Sequence, residues 1–395
     1  MNRMFKYRLY PSKVQQKTID RHLELCRRMY NELLAIKIET YEQTGVSLSK
    51  YQLTTCVPHL KNEKPEYKEV YGQTVRMAAD RIDKAFKSMF RRIKAGEKAG
   101  FPRFKGKNAV KSLCYPQNGQ GAFHLKQKGK LRASKIGSMN IKLHRPLEGK
   151  IKNLIIKKTP TNKYYAFFCC EVEIEPRQRA YKKAIGLDVG LKSFLATSEG
   201  QFVSSPEYYR KSEQRLVMLQ RRFSRKKKGS KNRTKARFIV AMHHEHTANQ
   251  RTDFLHKLSS NLTYDYSFIA VEDLNIQGMT KNHCLAKSIS DAGWGTFITQ
   301  LQYKAEQAGG VVSKVNRFFP SSKTCSSCGA IQDMPLKKRT YKCGECGLKI
   351  DRDTNAAKNI LNSSLERTDG MSGINACGDV GLPTPMKQEA HQIGG

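Results

Sequence analysis

Between residues 184 and 362 the order of apolar patterns leaves few folds open. Three strand-like segments come first, at 185–191, 193–198 and 201–204, the last two joined by a Glu199-Gly200 turn. A long helical stretch covers about 206–262, with a bend at Gly229 and Ser230. Then "YSFIAVEDLN" reads as a buried strand, "GWGTFITQLQYKAEQAG" as a helix ending at Gly309, "GVVSKVNRFF" as another strand and "TNAAKNILN" as a last helix.

That succession is the order of an RNase H-like α/β fold. In such a fold the first strand is central, the fourth lies beside it, and carboxylates on these strands and on the last helix can converge. The chain offers one at each place: Asp188 in "GLDVG", Glu272 closing "FIAVE", and Asp353 or Asp351 in "DRDTNAA". An unpaired carboxylate inside an apolar strand costs several kcal/mol. Bound cations offset that cost, and three carboxylates suit two Mg²⁺ ions that cleave a phosphodiester in line. Gly186 and Gly190 are read as room for a nucleic-acid backbone beside Asp188. The plainer readings are a hydrogen-bonded structural Asp188, a Glu272 or Asp273 that only ends a strand, and helix N-caps at 351 and 353.

Cys325-x2-Cys328 and Cys343-x2-Cys346 stand 14 residues apart, a zinc-ribbon spacing. Gly329 and Gly347 follow the pairs and permit tight turns. Four thiolates close a coordination shell, so Zn²⁺ here is structural. The other seven cysteines are scattered and read as free thiols. The loop "PLKKRTYK" between the pairs is basic.

Lys and Arg number 72 against 34 Asp and Glu, an excess of +38. Self-repulsion on that scale points to a polyanionic partner, nucleic acid before a ribosomal role or an anionic membrane. No apolar run is long enough to span a bilayer, and the N-terminus lacks a signal-type apolar stretch, which places the chain in the cytoplasm.

Residues 2–10 alternate as a strand, and a helix starting at Pro11-Ser12 carries Ile19, Leu23, Cys26, Tyr30 and Leu33 on one face up to Gly45. A second helix, about 74–94, sets Val75, Ala79, Ile82, Phe86, Met89 and Ile93 against a basic face. Strands follow in "SMNIKLHR", "KIKNLIIKK" and "KYYAFFCCEVE". The expectation is a multidomain α+β chain: a β-barrel from 1–10 and 108–178 with a helical insert at 11–107, a linker at 179–183, a nuclease domain from 184–320 and 351–362, a zinc ribbon at 321–350 and a disordered tail at 363–395.

Candidate nucleic-acid contacts are Arg81, Lys84, Arg91 and Arg92 on the second helix, Arg103 and Lys105 beyond it, and Arg221, Arg222, Arg225, Lys226, Lys227 and Lys228 in "RRFSRKKKGSKNRTK". Phe101, Phe104, Tyr164 and Tyr165 interleave with basic residues and suit either base stacking or core. "HHEH" at 243–246 is read as packing and polar surface rather than a metal site.

"GLDVGLKSFLATSEG", "IAVEDLNIQGM", "FPSSKTCSSCG…YKCGECG" and "DRDTNAAKNIL" resemble the three RuvC motifs and zinc ribbon of the TnpB family, the RNA-guided nucleases of insertion sequences related to compact type V CRISPR effectors. "FKYRLYPSKVQQ" and "GINACGD" extend the resemblance over nearly the whole chain. It implies a wedge-like barrel interrupted by a recognition insert, and a RuvC domain interrupted by the ribbon. It implies that Asp353, two residues before Asn355, is the catalytic third carboxylate and Asp351 an accessory or surface group. It also implies a guide RNA from the transposon end, target DNA read beside a short motif, and one protein chain per RNA. Some relatives that have lost the carboxylates act as RNA-guided repressors. All three are present here, so the expected activity is cleavage; a non-cleaving regulator and a strand-joining transposase are the competing readings.

Overall fold

The computed structural model describes residues 2–116, 121–126, 129–173, 183–335 and 337–369, and the backbone of 374–375 and 379–380. The chain divides into two compact units, Met1–Ile174 and Glu175–Gly395.

The first unit opens with β1 (Asn2–Tyr10), then α1 (Lys13–Thr44), α2 (Lys50–Glu63) and α3 (Gly72–Lys94). Six strands follow: β2 (Ser112–Tyr115), β3 (Phe123–Lys126), β4 (Lys130–Ala133), β5 (Gly137–Lys142), β6 (Lys150–Lys158) and β7 (Tyr164–Glu171). They form an antiparallel sheet in the order β2-β6-β7-β1-β5-β4-β3. It curls to a nearly closed barrel: the Tyr115 hydroxyl at one edge donates to the Ser134 carbonyl, 3.2 Å away beside β4.

The first helix starts where its cap says it should. Ser12 and Gln15 form a reciprocal capping box, and Gly45 ends the helix at φ +68°. Ile19, Leu23, Cys26, Tyr30 and Leu33 are all buried, and they share one core with Phe5, Tyr7 and Leu9 of β1 and Val75 and Ile82 of α3. Barrel and helical insert are therefore a single packed body. The apolar stripe of α3 is only half used, because burial stops at Ile82 and Ile93 is 56% exposed.

The second unit carries β8 (Lys183–Val189), β9 (Ser193–Thr197), β10 (Phe202–Ser204), α4 (Tyr208–Ser224), α5 (Lys231–Asp265), β11 (Tyr266–Glu272), the short α6 (Ile276–Met279), α7 (His283–Ala292), α8 (Trp294–Ala308) and β12 (Val311–Val315). The ribbon strands β13 (Thr340–Lys342) and β14 (Lys349–Asp351) lead into α9 (Arg352–Asp369). The sheet order is β10-β9-β8-β11-β12, with β8, β11 and β12 parallel and β9 antiparallel to both neighbours. This is the RNase H-like arrangement expected from the pattern order.

Strand alternation splits the core in two. Ile185, Leu187, Ile269 and Val271 pack with Leu255 and Leu262 of α5 and Phe297 and Leu301 of α8. Phe268 and Ala270 face the other way, against Ile360, Leu361 and Leu365 of α9.

Two boundaries need correction. The last helix continues through Asp369, past the expected end at 362, because Ser364 is buried and its hydroxyl meets that of Ser313 on β12 at 3.1 Å. Within the expected disordered tail, β15 (Ile374–Asn375) and β16 (Asp379–Val380) pair antiparallel. The remainder of that tail and linker residues 179–182 lie outside the described residues; Lys183 already belongs to β8. Among the described residues no helix is long and apolar enough to cross a membrane.

Candidate acidic site and cysteine centre

Two neighbouring strands and one helix assemble the carboxylates. Leu187 pairs with Val271 in parallel register, so Asp188 and Glu272 are the next residues along on adjacent strands. Alternation puts both on the α9 face. Gly186 shows how close that helix lies: a side-chain carbon there would overlap the carbonyl oxygen of Ala357 and come within 2.9 Å of the Leu361 Cβ. Two residues along a strand advance about 6.6 Å, and four residues of helix about 6 Å. With Gly186 against Ala357, Asp188 therefore meets the turn that begins at Asp353.

The electrostatics agree. Burial pushes the Asp188 carboxyl up to about 7, and the charges of Asp353, Glu272 and Asp351 push the same way, opposed by Arg352. Burial also raises Glu272. Asp273 has another occupation, an ion pair with Arg317 at 2.8 Å and a longer contact with Lys314 at 3.8 Å. Asp351 accepts the backbone N–H groups of Asp353 (2.8 Å) and Thr354 (3.2 Å), so it caps α9. Asp353 is thereby left free to face the cluster, with the Arg339 guanidinium 3.6 Å from its Oδ2. The sequence reading did not single out Arg339 within "PLKKRTYK"; only the fold of the ribbon brings it here.

The room assigned to the two glycines is not open space. Backbone of α9 fills the gap at Gly186, and a side chain at Gly190 would meet the Ser193 carbonyl at 3.0 Å.

The four cysteine sulfurs all lie within 4.8 Å of one another, the one such cluster of metal-type ligand atoms among the described residues; the carboxylates are spread wider. Cys325–Cys346 and Cys328–Cys343 are each separated by 3.6 Å. A tetrahedral ion with bonds of ~2.3 Å needs edges of about 3.8 Å, so the sulfurs fit one ion. Burial pushes Cys325 up, but N–H groups of Cys328 and Ser327 and the neighbouring sulfurs bring it down to about 7. Four thiols this close resist joint ionisation, and a shared cation relieves that resistance.

The ribbon is fastened to the acidic site by two asparagines one turn apart on α9. Asn355 is fully buried; its oxygen accepts the Ser326 N–H (3.0 Å) inside the first knuckle and its amide donates to the Thr324 carbonyl (2.7 Å). Asn359 donates to the Thr324 (2.6 Å) and Ser321 (2.7 Å) carbonyls.

The candidate basic residues divide. Arg81 donates to the Ser112 carbonyl (2.7 Å) and ties α3 to β2, and Arg92 binds Glu97 and the Lys98 carbonyl. Lys84, Arg91, Arg103 and Lys105 are exposed. Arg233 builds the tip of the α4–α5 hairpin by lying over the Phe223 ring and donating to the Lys226 carbonyl (2.6 Å). That leaves Arg221, Arg222, Arg225, Lys226, Lys227 and Lys228 exposed, with no acidic partner among the described residues. Phe101 and Phe104 are exposed, Tyr165 half-buried, and Tyr164 is core. His243 meets the Ser212 carbonyl at 3.3 Å in the α4–α5 contact, as packing requires. A concavity missed in the sequence lies in the first unit, where Lys61, Lys68 and Arg76 line about 540 Å³ beside the start of α3.

An RNase H-like sheet with carboxylates on its two central strands and last helix, joined to a four-cysteine ribbon, defines a nuclease-type class. Residues 167–283 match the family described as "Probable transposase", 294–360 the "Cas12f1-like, TNB domain", and 1–45 a "Helix-turn-helix domain", although the last folds here as β1 and one unbroken helix. A "Putative RNA-guided DNA endonuclease" of Streptomyces pristinaespiralis is 32% identical, covering 96% of this chain and 92% of its own. The "Putative RNA-guided DNA endonuclease InsQ" of Escherichia coli (strain K12) is 28% identical over 98% and 97%. A Cas12f1 chain, solved by cryo-EM with sgRNA and target DNA, shares the fold at TM-score 0.57 and 16% identity, over 92% of this chain and 99% of that one. The chain belongs to the TnpB family.

Proposed function

We propose that this chain is an RNA-guided DNA endonuclease that hydrolyses target phosphodiesters at Asp188, Glu272 and Asp353. The observation that carries the reading is the register that sets Asp188 and Glu272 side by side on the α9 face, with Asp188 pushed up to about 7 by burial and by the charges of Asp353 and Glu272. Relatives named as RNA-guided DNA endonucleases along nearly the whole chain support it.

The donor set is all oxygen, which suits Mg²⁺. When bound, divalent cations supply a water that is nucleophilic near neutral pH and positive charge for the departing 3′-oxyanion. Asp188 and Glu272 hold their ligand oxygens on a rigid sheet. Asp351 holds the first turn of α9, so that Asp353 keeps its oxygens for the cluster. Arg339 stands where a phosphate approaching Asp353 would meet a guanidinium. The cysteine centre takes one structural Zn²⁺, whose closed shell of four thiolates leaves no position for substrate.

Guide pairing reads the target sequence, and the protein holds the heteroduplex through backbone contacts. Arg221, Arg222, Arg225, Lys226, Lys227 and Lys228 on the hairpin, and Lys84, Arg91, Arg103 and Lys105 in the first unit, supply phosphate contacts. Lys61, Lys68 and Arg76 offer another. The RNA derives from the transposon end, one chain binds each RNA, and the ten described cysteines, all unbridged, suit a reducing cytoplasm.

The test is guided cleavage of a DNA duplex with Mg²⁺ by purified protein and its co-purifying RNA. Asp188→Asn, Glu272→Gln and Asp353→Asn each abolish cleavage while RNA binding persists. Cleavage surviving any of them overturns that assignment. Binding without cleavage by the wild type under every Mg²⁺ or Mn²⁺ condition would instead make the chain a guided regulator, and joined strands in the products would make it a transposase.

A further inference from the structure

Phe318 is 86% exposed, the most exposed large apolar side chain among the described residues. Scattered surface apolar groups need no explanation, but this one projects from a turn whose backbone is held in place. Its N–H donates to the Asn316 side chain (2.9 Å), the Phe319 N–H to the Asn316 carbonyl (3.0 Å), and the Ser321 N–H to the Phe319 carbonyl (2.8 Å). Phe319 packs inward on the α9 side with Phe268 and Ile360, and Arg317 is anchored on Asp273 at 2.8 Å. The backbone of the turn is thus held on both sides of a ring that stands mostly in solvent.

Its location matters as much. Val315, three residues earlier, pairs with Glu272, and its carbonyl accepts the Asp273 N–H at 2.9 Å. Phe318 stands just beyond the carboxyl end of β12, and Asp188 and Glu272 lie toward the carboxyl ends of the parallel neighbours. Ligands of open parallel sheets enter at that edge.

We infer that Phe318 is a stacking platform for a nucleobase of the single strand whose phosphodiester reaches the carboxylates. The inference rests on the reading of those carboxylates as a phosphodiester-cleaving site. A net charge of +38 draws a polyanion to this surface. Arg317 and Lys314 are engaged with Asp273, so what this turn itself offers a strand is a π-face, which accepts any base. With the backbone of the turn already held, stacking has only the two side-chain torsions of Phe318 to order.

The probe is a single-stranded DNA carrying 2-aminopurine, whose fluorescence falls on stacking, titrated against the full chain without divalent ions. Phe318→Ala should weaken binding about tenfold, the fold-change that ~1.4 kcal/mol of lost stacking gives, and abolish the quench. Phe318→Trp should restore both, and Phe318→Leu neither. Wild-type affinity and quench in Phe318→Ala, or full rescue by leucine, overturns the platform. In guided cleavage Phe318→Ala should raise KM more than it lowers kcat. A wild type that quenches the probe but never cleaves defeats the nuclease reading and leaves the stacking result standing.

Discussion

Gly186→Ala is a one-carbon test of how Asp353 is placed. The added Cβ overlaps the Ala357 carbonyl oxygen, a backbone atom that no rotamer change can move aside. It also comes within 2.9 Å of the Leu361 Cβ, where ordinary contact begins near 3.4 Å, so α9 must retreat by at least half an ångström. Overpacking of this kind costs about 1–3 kcal/mol. For a unit of this size each kcal/mol lowers Tm by roughly 2–4 °C. The larger effect falls on chemistry, because a shift of about 1 Å in a catalytic group costs roughly a hundredfold. We expect guided cleavage at 25 °C to fall about 10- to 100-fold in protein that is still folded and still binds its RNA. Gly100→Ala, where an added carbon meets nothing within 4 Å, is the control. A Gly186→Ala protein with wild-type melting and cleavage would refute the strand–helix contact as the device that sets Asp353.

Two further outcomes follow from the geometry. The folded-state pKa of Asp188, raised to about 7, makes the native protein hold a proton that the unfolded chain has lost above the usual carboxylate range. This group's contribution to stability therefore falls as pH rises through that window, by up to about 1.4 kcal/mol per pH unit. In chelator, the stability of Asp188→Asn relative to wild type should grow from pH 5 to pH 8, and Mg²⁺ should stabilise the wild type more at pH 8 than at pH 5; a flat difference would refute it. Asn355→Ala leaves the Ser326 N–H unpaired, at a cost of about 1–3 kcal/mol, and removes one of the two amide donors to the Thr324 carbonyl, which Asn359 still serves at 2.6 Å. Metal analysis of the wild type should find one Zn²⁺ per chain, and the variant should release it faster to a chromogenic chelator; an unchanged release rate would mean that the ribbon holds its ion without α9.

The second unit was the more legible in sequence, and physics explains why. Its central strands are buried on both faces and so are continuously apolar, which makes the interruption by Asp188 and the ending at Glu272 conspicuous. Cysteine spacing has few other uses. The first unit gave weaker signals. The strands β2, β3 and β4 have four residues each, too few to show alternation. The α2 helix went unread because Pro58 sits inside it, although Leu53, Val57 and Leu60 keep helical spacing and are buried. The α7 helix went unread between two stronger segments; it supplies Asp291, whose carboxylate accepts the Tyr209 and Arg210 N–H groups at the start of α4. The partition of 351 from 353 needed the resemblance, since either could cap a helix. The role of Gly186 was misread because a missing side chain looks alike in sequence whether ligand or helix backbone fills the gap.

Asp351 belongs to two modules at once. It is the last residue of β14, paired with Thr340, and it is the cap of α9. No spacer separates the ribbon from the helix that bears Asp353. Each residue of helix turns about 100°, so a single insertion between 351 and 353 would swing the aspartate away from the sheet. A ribbon from a relative can be grafted only if it preserves this phase, which makes the junction, and not the cysteines, the constraint for exchanging parts in chains built this way.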